Sequence, residues 1–287
     1  MNKDLCITTL VEDTSLDGDL LAEHGLSFWI EYGDKRILFD TGQSDILVRN
    51  ARTLGINLAE ADAIVLSHGH YDHTGGLSAI LEIAPKATVY LHPAAIESKF
   101  SRKISSVNSI GIPYVAKKAV QKCRVIWTVT PAHIFPGISV TGQVSRINSF
   151  EDVGGAFFVD ENCRVPDKLL DDQALFIESA EGLIVVLGCA HSGVVNVLEY
   201  ISDLTSLKSI YAVIGGMHLL NAPKERIGRT ISVFRNYNIQ KIGVAHCTGA
   251  GAVGRFSNTF HDRCFSCSVG TQISFEKNHE YVSAKTK

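Results

Sequence analysis

Three histidines and an aspartate crowd into the segment SHGHYDHTGG, residues 67–76. The segment follows AIVLS (63–67), an apolar run typical of a buried strand. His68 and His70 are two residues apart, so extended chain points both to one side, while the adjacent Asp72 and His73 diverge and can serve a second centre. Imidazole and carboxylate groups packed this closely suit zinc, manganese or iron. The alternative, a polar loop of solvated histidines, fits a lone histidine better than this cluster.

Further chemically capable residues follow other apolar runs. Cys189 and His191 come after LIVVL, His218 after YAVI, His246 after KIGV and His92 after TVYL. Sites in α/β sheets form where strands end, so we expect His191 and His246 to be metal ligands. His218 is suited to act as a metal ligand, as a substrate contact or as a structural residue. Three roles are open for Cys189. It either bridges the metals, contacts one of their ligands, or is simply a small buried residue.

The pattern of apolar and polar residues predicts the strands and helices that must position these residues. Residues 27–40 predict two short strands around a Gly-Asp turn, ending in FDTG, where we expect Asp40 to orient a ligand histidine. Helices are predicted over 44–54 and 74–83. QALFIES and LIVVLG predict a hairpin, and helical spacing alternates with buried strands after it. The alternation predicts a mixed α/β layer architecture.

Composition limits the class of protein. The chain has 287 residues, is 45% hydrophobic and carries a net charge of −3, which excludes global disorder and argues against a nucleic-acid partner. Its apolar runs are too short to span a membrane, and its start lacks the pattern of a secretory leader. The seven cysteines are scattered and odd in number, so we expect a reducing, cytoplasmic location without a disulfide framework. Three interpretations are open for Cys264 and Cys267: half of a zinc knuckle, a redox pair, or ordinary residues of a short β-rich tail.

The span from about 94 to 172 has weak pattern and predicts an inserted lid within a single domain over 1–287. Its first part is basic, with Glu97 as the only acid between 97 and 124. A basic lid would attract an anionic substrate, with Arg102, Lys103 and His92 as candidate contacts; the alternative is a solvated basic face. The basic residues are Lys99, Arg102, Lys103, Lys117, Lys118, Lys122 and Arg124.

The signature His68-x-His70-x-Asp72-His73 resembles that of the metallo-β-lactamase superfamily. FDTG, HGHYDHTGGL, GCAHSGVVN, IGGMH and AHCTG follow in the order seen in one branch, which includes archaeal dihydropterin-linked ribofuranosylaminobenzene phosphate synthases and metal-dependent hydrolases. The resemblance implies an αββα sandwich, in which two mixed β-sheets are flanked by helices, with a dinuclear metal site at one edge.

The resemblance also implies a ligand set for two divalent ions, zinc first, with manganese or iron as alternatives. One ion would be held by His68, His70 and His191, and the other by Asp72, His73 and His246. Asp72, His73 and His218 are expected to take part in catalysis. The bridging aspartate usual after the LIVVLG-like strand is absent, and Cys189 stands there as a candidate ligand.

Two close metals make hydroxide available at neutral pH and polarise a substrate oxygen. The leading hypothesis is therefore a hydrolase that uses a metal-bound hydroxide on a small anionic substrate, either phosphorylated or a lactone or ester. A second is a transferase that joins a pterin diphosphate to an aminobenzene ribofuranosyl phosphate and releases pyrophosphate. A third is a non-catalytic metal-binding sensor. The sequence leaves the substrate and the oligomeric state open.

Overall fold

The computed structural model describes residues 4–206, 209–275 and 282–283. The chain divides into two compact units. The first comprises Met1–Lys99, Ser109–Trp127 and Cys267–Lys287, and the second comprises Phe100–Asn108 and Thr128–Ser266. No helix within the described residues is both long and apolar enough to cross a membrane.

The regular elements of the described residues are short strands and helices of one to four turns. The α-helices are α1 (Ile46–Thr53), α2 (Tyr71–Thr74), α3 (Leu77–Ile83), α4 (Tyr114–Val120), α5 (Val194–Thr205), α6 (Lys224–Asn236) and α7 (Ala250–Phe260). The strands are β1 (Leu5–Val11), β2 (Ser27–Tyr32), β3 (Lys35–Phe39), β4 (Ala63–Val65), β5 (Thr88–Leu91), β6 (Phe100–Arg102), β7 (Val107–Ser109), β8 (Val125–Trp127), β9 (Ala132–Phe135), β10 (Ile138–Val140), β11 (Phe157–Phe158), β12 (Leu175–Glu178), β13 (Leu183–Leu187), β14 (Ile210–Gly216), β15 (Lys241–Ala245), β16 (Cys264–Ser266), β17 (Gln272–Phe275) and β18 (Val282–Ser283).

The first unit is built on a mixed sheet of order β18-β17-β1-β2-β3-β4-β5-β8. The pairs from β18 to β3 are antiparallel and those from β3 to β8 are parallel. A tight turn suffices between β2 and β3, whereas parallel neighbours need a crossover, which α1 and α3 help to supply. Leu47 of α1 and Leu77 and Ile80 of α3 are fully buried in the core of this unit.

The second unit repeats this plan with a sheet of order β16-β15-β14-β13-β12-β10-β9. The pairs from β9 to β13 are antiparallel, and those from β13 to β16 are parallel. Every residue of β13 is buried, as expected for a strand covered on both faces. Leu198 of α5, Phe234 of α6 and Phe256 of α7 belong to the core of this unit. The parallel part therefore ends β13, β14 and β15 at a common edge.

The predicted α/β class with mixed sheets is confirmed, but one predicted helix is wrong at its start. The helix expected over 74–83 begins at Tyr71 and is interrupted at Gly75 and Gly76, giving α2 and α3. The interruption packs the chain tightly, since a Cβ on Gly75 would overlap the carbonyl oxygen of Gln43. The glycine pair therefore lets the cluster-bearing turn lie directly against the loop after β3.

The strands of the weakly patterned span 94–172 belong to all three sheets of the described residues. Its middle supplies β8 to the first sheet, and β9 and β10 to the second. Strands this short carry too few alternating side chains to be recognised by pattern. Within the described residues, the small sheet of order β11-β6-β7 is distinct from the two large sheets, and the lid over 94–172 stays a prediction.

We expect Gly75→Ala to destabilise the protein by about 2 kcal/mol or more, because an overpacked backbone contact forces a local shift. Gly254→Ala is the matched control: Gly254 lies within α7 and a Cβ there meets nothing within 4 Å. Alanine should stabilise that helix by roughly 0.5–1 kcal/mol. Urea unfolding of both variants and the parent measures the difference, and equal midpoints would contradict the packing argument.

Candidate metal centre

In the first unit, His68 and His70 direct ring nitrogens at each other from the end of β4. His68 Nε2 lies 2.9 Å from His70 Nδ1, and both side chains are buried. Ser67 Oγ donates to Asp40 Oδ2 at 2.6 Å and lies 2.9 Å from His68 Nδ1. Because the serine hydrogen is engaged with the carboxylate, Ser67 Oγ accepts from His68 Nδ1–H. The lone pair of His68 is thereby held on Nε2, which faces His70.

A second pair of ligand atoms comes from Asp72 and His73. His73 Nδ1 donates to Asp40 Oδ2 at 2.7 Å, and His73 Nε2 lies 3.7 Å from Asp72 Oδ2. The carbonyl oxygen of His73 accepts hydrogen bonds from the backbone and the hydroxyl of Thr41 at 2.8 and 3.0 Å. The expected contact of Asp40 with a predicted ligand histidine is present, and the contact fixes which nitrogen of His73 carries the proton.

These donors fit divalent metal ions. Two nitrogens bound to one tetrahedral zinc at ~2.0–2.1 Å lie about 3.3 Å apart, close to the observed 2.9 Å between His68 and His70. The ring centroids of His68 and His73 are only 4.3 Å apart, so three buried imidazoles share one small volume. Neutral imidazoles beside a carboxylate form an ordinary zinc donor set. The first unit thus offers two adjacent pairs of ligand atoms.

His24 lies at the border of this cluster. Its Nε2 is 3.4 Å from Asp72 Oδ2 and its Nδ1 is 3.4 Å from Asp13 Oδ2. The side chain is 56% exposed, whereas His68 and His73 are fully buried. An exposed imidazole between two carboxylates is placed to exchange protons with solvent.

The second unit gathers its own set at the ends of β13 and β14. His191 donates from Nδ1 to the carbonyl oxygen of Val153 at 2.9 Å, so the lone pair of the ring lies on Nε2. The rings of His191 and His218 are 4.3 Å apart. His218 Nε2 lies 3.3 Å from the carbonyl oxygen of Gly154. Both histidines therefore bond to one loop.

That loop is held by Glu151, a residue that sequence reasoning missed. Its carboxylate accepts the backbone N–H groups of Val195 and Asn196, each at 2.9 Å, where α5 begins. A carboxylate at a helix N-terminus satisfies otherwise unpaired N–H groups. No sequence signal links Glu151 to α5, because more than 40 residues separate them. The bond positions the segment whose Val153 carbonyl orients His191.

Cys247 is a second residue that the sequence analysis passed over, although it directly follows His246. Its thiol donates to the carbonyl oxygen of Cys189 at 3.6 Å. Burial alone would raise the pKa of Cys247, but hydrogen bonds with the side chains of Cys189 and His218 lower it well below 9.0. The pKa of His218 is raised, since its contact with Cys247 outweighs the opposing effect of burial.

Four of these loops contain a non-glycine residue in the left-handed region of backbone space. They are Asp40 (φ 58°), Ala190 (φ 55°), His218 (φ 47°) and His246 (φ 47°). Such conformations cost about 1–3 kcal/mol each and persist only where the surroundings impose them. The strain coincides with the FDTG, GCAHSG, IGGMH and AHCTG motifs. Four of the five motifs thus contain a backbone conformation that the surroundings must impose.

The remaining predicted residues have local contacts. His92 is buried and its Nδ1 accepts the Ala94 N–H at 3.1 Å, at the start of a short 3₁₀ helix. Arg102 lies over the Phe158 ring at 4.9 Å. The Lys103 N–H donates to the Ser106 carbonyl at 2.8 Å in an exposed turn. Their substrate roles stay predictions, as do the metal-ligand roles of His191 and His246.

Residues 21–203 match the sequence profile of the Metallo-beta-lactamase superfamily. The chain belongs to the metallo-β-lactamase superfamily. An enzyme from Methanocaldococcus jannaschii, 7,8-dihydropterin-6-methyl-4-(beta-D-ribofuranosyl)-aminobenzene-5'-phosphate synthase, is 33% identical to it over 282 residues. That alignment covers 94% of this chain and 96% of the synthase. The resemblance drawn from the motifs, and the expectation of an enzyme, are confirmed.

Solved structures agree with this membership. The crystal structure of Tm1679, described as a metal-dependent hydrolase of the beta-lactamase superfamily, matches with a TM-score of 0.82 and 29% identity. The match covers 95% of this chain and 100% of that one. The metallo-beta-lactamase fold protein YhfI from Bacillus subtilis matches with a TM-score of 0.60 and 12% identity, over 95% of this chain and 100% of that one. The last likeness concerns the fold alone.

We expect His70→Ala to lose bound metal, because it removes one of two nitrogens that face each other across 2.9 Å. Metal affinity should fall by at least about 10-fold, since even changes around a ligand cost ~10–100-fold. Metal content after equilibration with limiting zinc, measured by mass spectrometry, tests this. His133→Ala is the control, because His133 is exposed and bonds only locally to Ser139. Full zinc retention in His70→Ala would refute the assignment.

Asp40→Asn should weaken zinc binding by about 10–100-fold without unfolding the chain. The amide keeps the shape of the carboxylate but cannot accept all three bonds, which come from Ser67 N, Ser67 Oγ and His73 Nδ1. Competition with a chromophoric chelator gives the dissociation constants. Asp34→Asn, at an exposed turn, serves as the matched control. If both variants bind zinc alike, Asp40 does not orient a metal ligand.

Proposed function

We propose that this enzyme is a transferase that joins a dihydropterin diphosphate to a ribofuranosylaminobenzene phosphate and releases pyrophosphate. The observation that carries the proposal is the 33% identity to the synthase over 94% of this chain and 96% of that enzyme. Relatedness this complete includes both units and therefore every motif that bears a candidate ligand. A shared metallo-β-lactamase domain alone would support only the coarser class.

The donors of the first unit suit two divalent ions, zinc first, with manganese or iron as alternatives. In the arrangement implied by the family, His68 and His70 act with His191, and Asp72 and His73 act with His246. When bound, two such ions would neutralise the charge that develops on a diphosphate leaving group. The same family pattern leaves Cys189 where a bridging aspartate is usual.

In the proposed reaction, a bond forms between the pterin methyl carbon and the aminobenzene nitrogen while the bond from that carbon to the diphosphate oxygen breaks. The nitrogen then loses a proton, which the protein or solvent must accept. His24 is suited to hold this proton on Nε2, because it is half-exposed and lies 3.4 Å from Asp72 Oδ2. The side chain is 56% exposed, so a proton held on a ring nitrogen can pass to solvent and the base can be regenerated after each turnover.

Hydrolysis of a small anionic ester, lactone or phosphoester is the second candidate. It is favoured by the likeness to Tm1679, which is described as a metal-dependent hydrolase and is 29% identical over 95% of this chain. The same metal donors would serve both reactions, since a metal-activated water can replace the amine nucleophile. The two candidates differ in which nucleophile the site admits.

The test is an assay of pyrophosphate release from metal-loaded enzyme with each substrate alone and with both together. We expect release only with both substrates, in step with the joined product detected by mass spectrometry. His70→Ala should lower the rate by at least about 10-fold, which ties release to the metal donors. Release of phosphate or pyrophosphate from the pterin diphosphate alone, at the same rate with and without the aminobenzene, would identify a hydrolase and overturn the transferase proposal.

A further inference from the structure

The second unit contains a cluster of sulphur and nitrogen donors that the proposed reaction does not use. Cys189, His218 and Cys247 follow β13, β14 and β15. One ligand atom from each lies within 4.8 Å of the other two. Both thiols are buried, at 3% and 9% exposure. Three ligand atoms at this spacing, on three different strand ends, are close to what a single metal ion requires.

The approach of the two cysteines depends on the strand between them. β14 lies between β13 and β15, so the flanking strands are separated by two strand spacings, about 9.5 Å. Thiols from these strands meet only if the strand between presents no side chain. A Cβ on Gly216 would lie 2.7 Å from Cys247 Sγ and 3.4 Å from Cys189 Cα. Glycine at this position is therefore what gives the thiols room to converge.

The third donor is oriented by the loop already described. His218 Nε2 lies 3.3 Å from the carbonyl oxygen of Gly154, and a carbonyl can only accept, so Nε2 carries the proton. The lone pair is thereby on Nδ1, as in metal-bound histidines whose other nitrogen donates to a backbone carbonyl. His218 adopts a left-handed backbone conformation, at φ 47°. This conformation is unfavourable by itself, and the surrounding structure imposes it and so holds the ring in place.

We propose that Cys189, His218 and Cys247 bind a zinc ion of their own, using residues of the second unit alone. Two thiolates and one imidazole form a known zinc donor set that leaves a fourth position open. Binding releases the two thiol protons to solvent, and the two thiolates cancel the charge of Zn²⁺. A neutral complex is far less costly to bury than a bare ion. Soft sulphur donors favour zinc over manganese or magnesium.

The proposal reassigns two residues. Cys189, expected from the sequence to support the dinuclear centre, becomes a ligand of this separate ion. His218, expected to take part in catalysis, becomes its nitrogen ligand. The assignment is independent of the proposed reaction, because it concerns a metal that the transferase chemistry does not require.

Cobalt titration of the metal-free full-length protein tests the proposal. A thiolate-to-cobalt charge-transfer band in the near ultraviolet is expected as Co²⁺ is added, and Zn²⁺ should abolish it by displacement. Cys247→Ser should lose most of the band. Cys163→Ser is the matched control, since Cys163 is also buried in the second unit and its thiol donates to the Glu161 carbonyl. His70→Ala, which alters the first-unit cluster, should keep the band.

Several results would overturn the assignment. They are the absence of a band, a band unchanged in Cys247→Ser, or a band lost in His70→Ala, which would return Cys189 to the dinuclear centre. If Cys247→Ser does not fold, alkylation of the wild-type protein replaces it. Zinc should slow alkylation of Cys189 and Cys247 by at least about 10-fold and leave Cys123 unaffected. Equal rates with and without zinc, or a Cys189–Cys247 disulfide in the protein purified without reductant, would also refute the site.

Discussion

The buried carboxylate of Asp40 holds three segments of the first unit in one arrangement. It accepts the Ser67 N–H at 2.7 Å, the Ser67 hydroxyl at 2.6 Å and His73 Nδ1 at 2.7 Å. These bonds join the end of β3 to the end of β4 and to α2. A carboxyl group with no exposure is tolerated only when its oxygens have hydrogen-bond partners, and here three donors supply them. The positions of His68 and His73 both depend on this one group.

The need to hold donor side chains in one arrangement also explains why the loops after the parallel strands are strained. Each loop must turn a donor side chain away from the direction of its strand within one or two residues. Asp40, Ala190, His218 and His246 meet this requirement with a left-handed backbone, at φ values from 47° to 58°. Packing of the strands before each loop supplies the stability that offsets the local cost. The fully buried strand β13, which precedes Ala190, is therefore part of the site's chemistry as well as of its core.

Glycine has a different use in each unit. In the first, Gly75 and Gly76 interrupt a helix so that the turn bearing Asp72 and His73 can press against the loop after β3. In the second, Gly216 removes a side chain from the middle strand so that two cysteines meet across it. In both arrangements, metal-ligand side chains come together because glycine has no side chain to keep the chain segments apart. They differ from the Asp40 network, which brings donors together by hydrogen bonding.

The sequence by itself determined what is local. The spacing of His68, His70, Asp72 and His73 after an apolar run predicted a cluster, because alternation along a strand and divergence in a turn are fixed by backbone geometry. The FDTG turn and the strands β2 to β5 and β12 to β15 were predicted for the same reason, and the ordered motifs identified the family.

Only the tertiary structure decided which distant segments meet. Strand order brought β13, β14 and β15 side by side, so that Cys247 contacts Cys189 from 58 residues away. Glu151 reached the start of α5, and the span after residue 94 divided its strands between two sheets. The pattern of apolar and polar side chains indicates how much of a strand is buried, but it does not indicate which strands lie beside it. Contacts between strands arise from the packing of the whole unit, and no single segment of sequence encodes them.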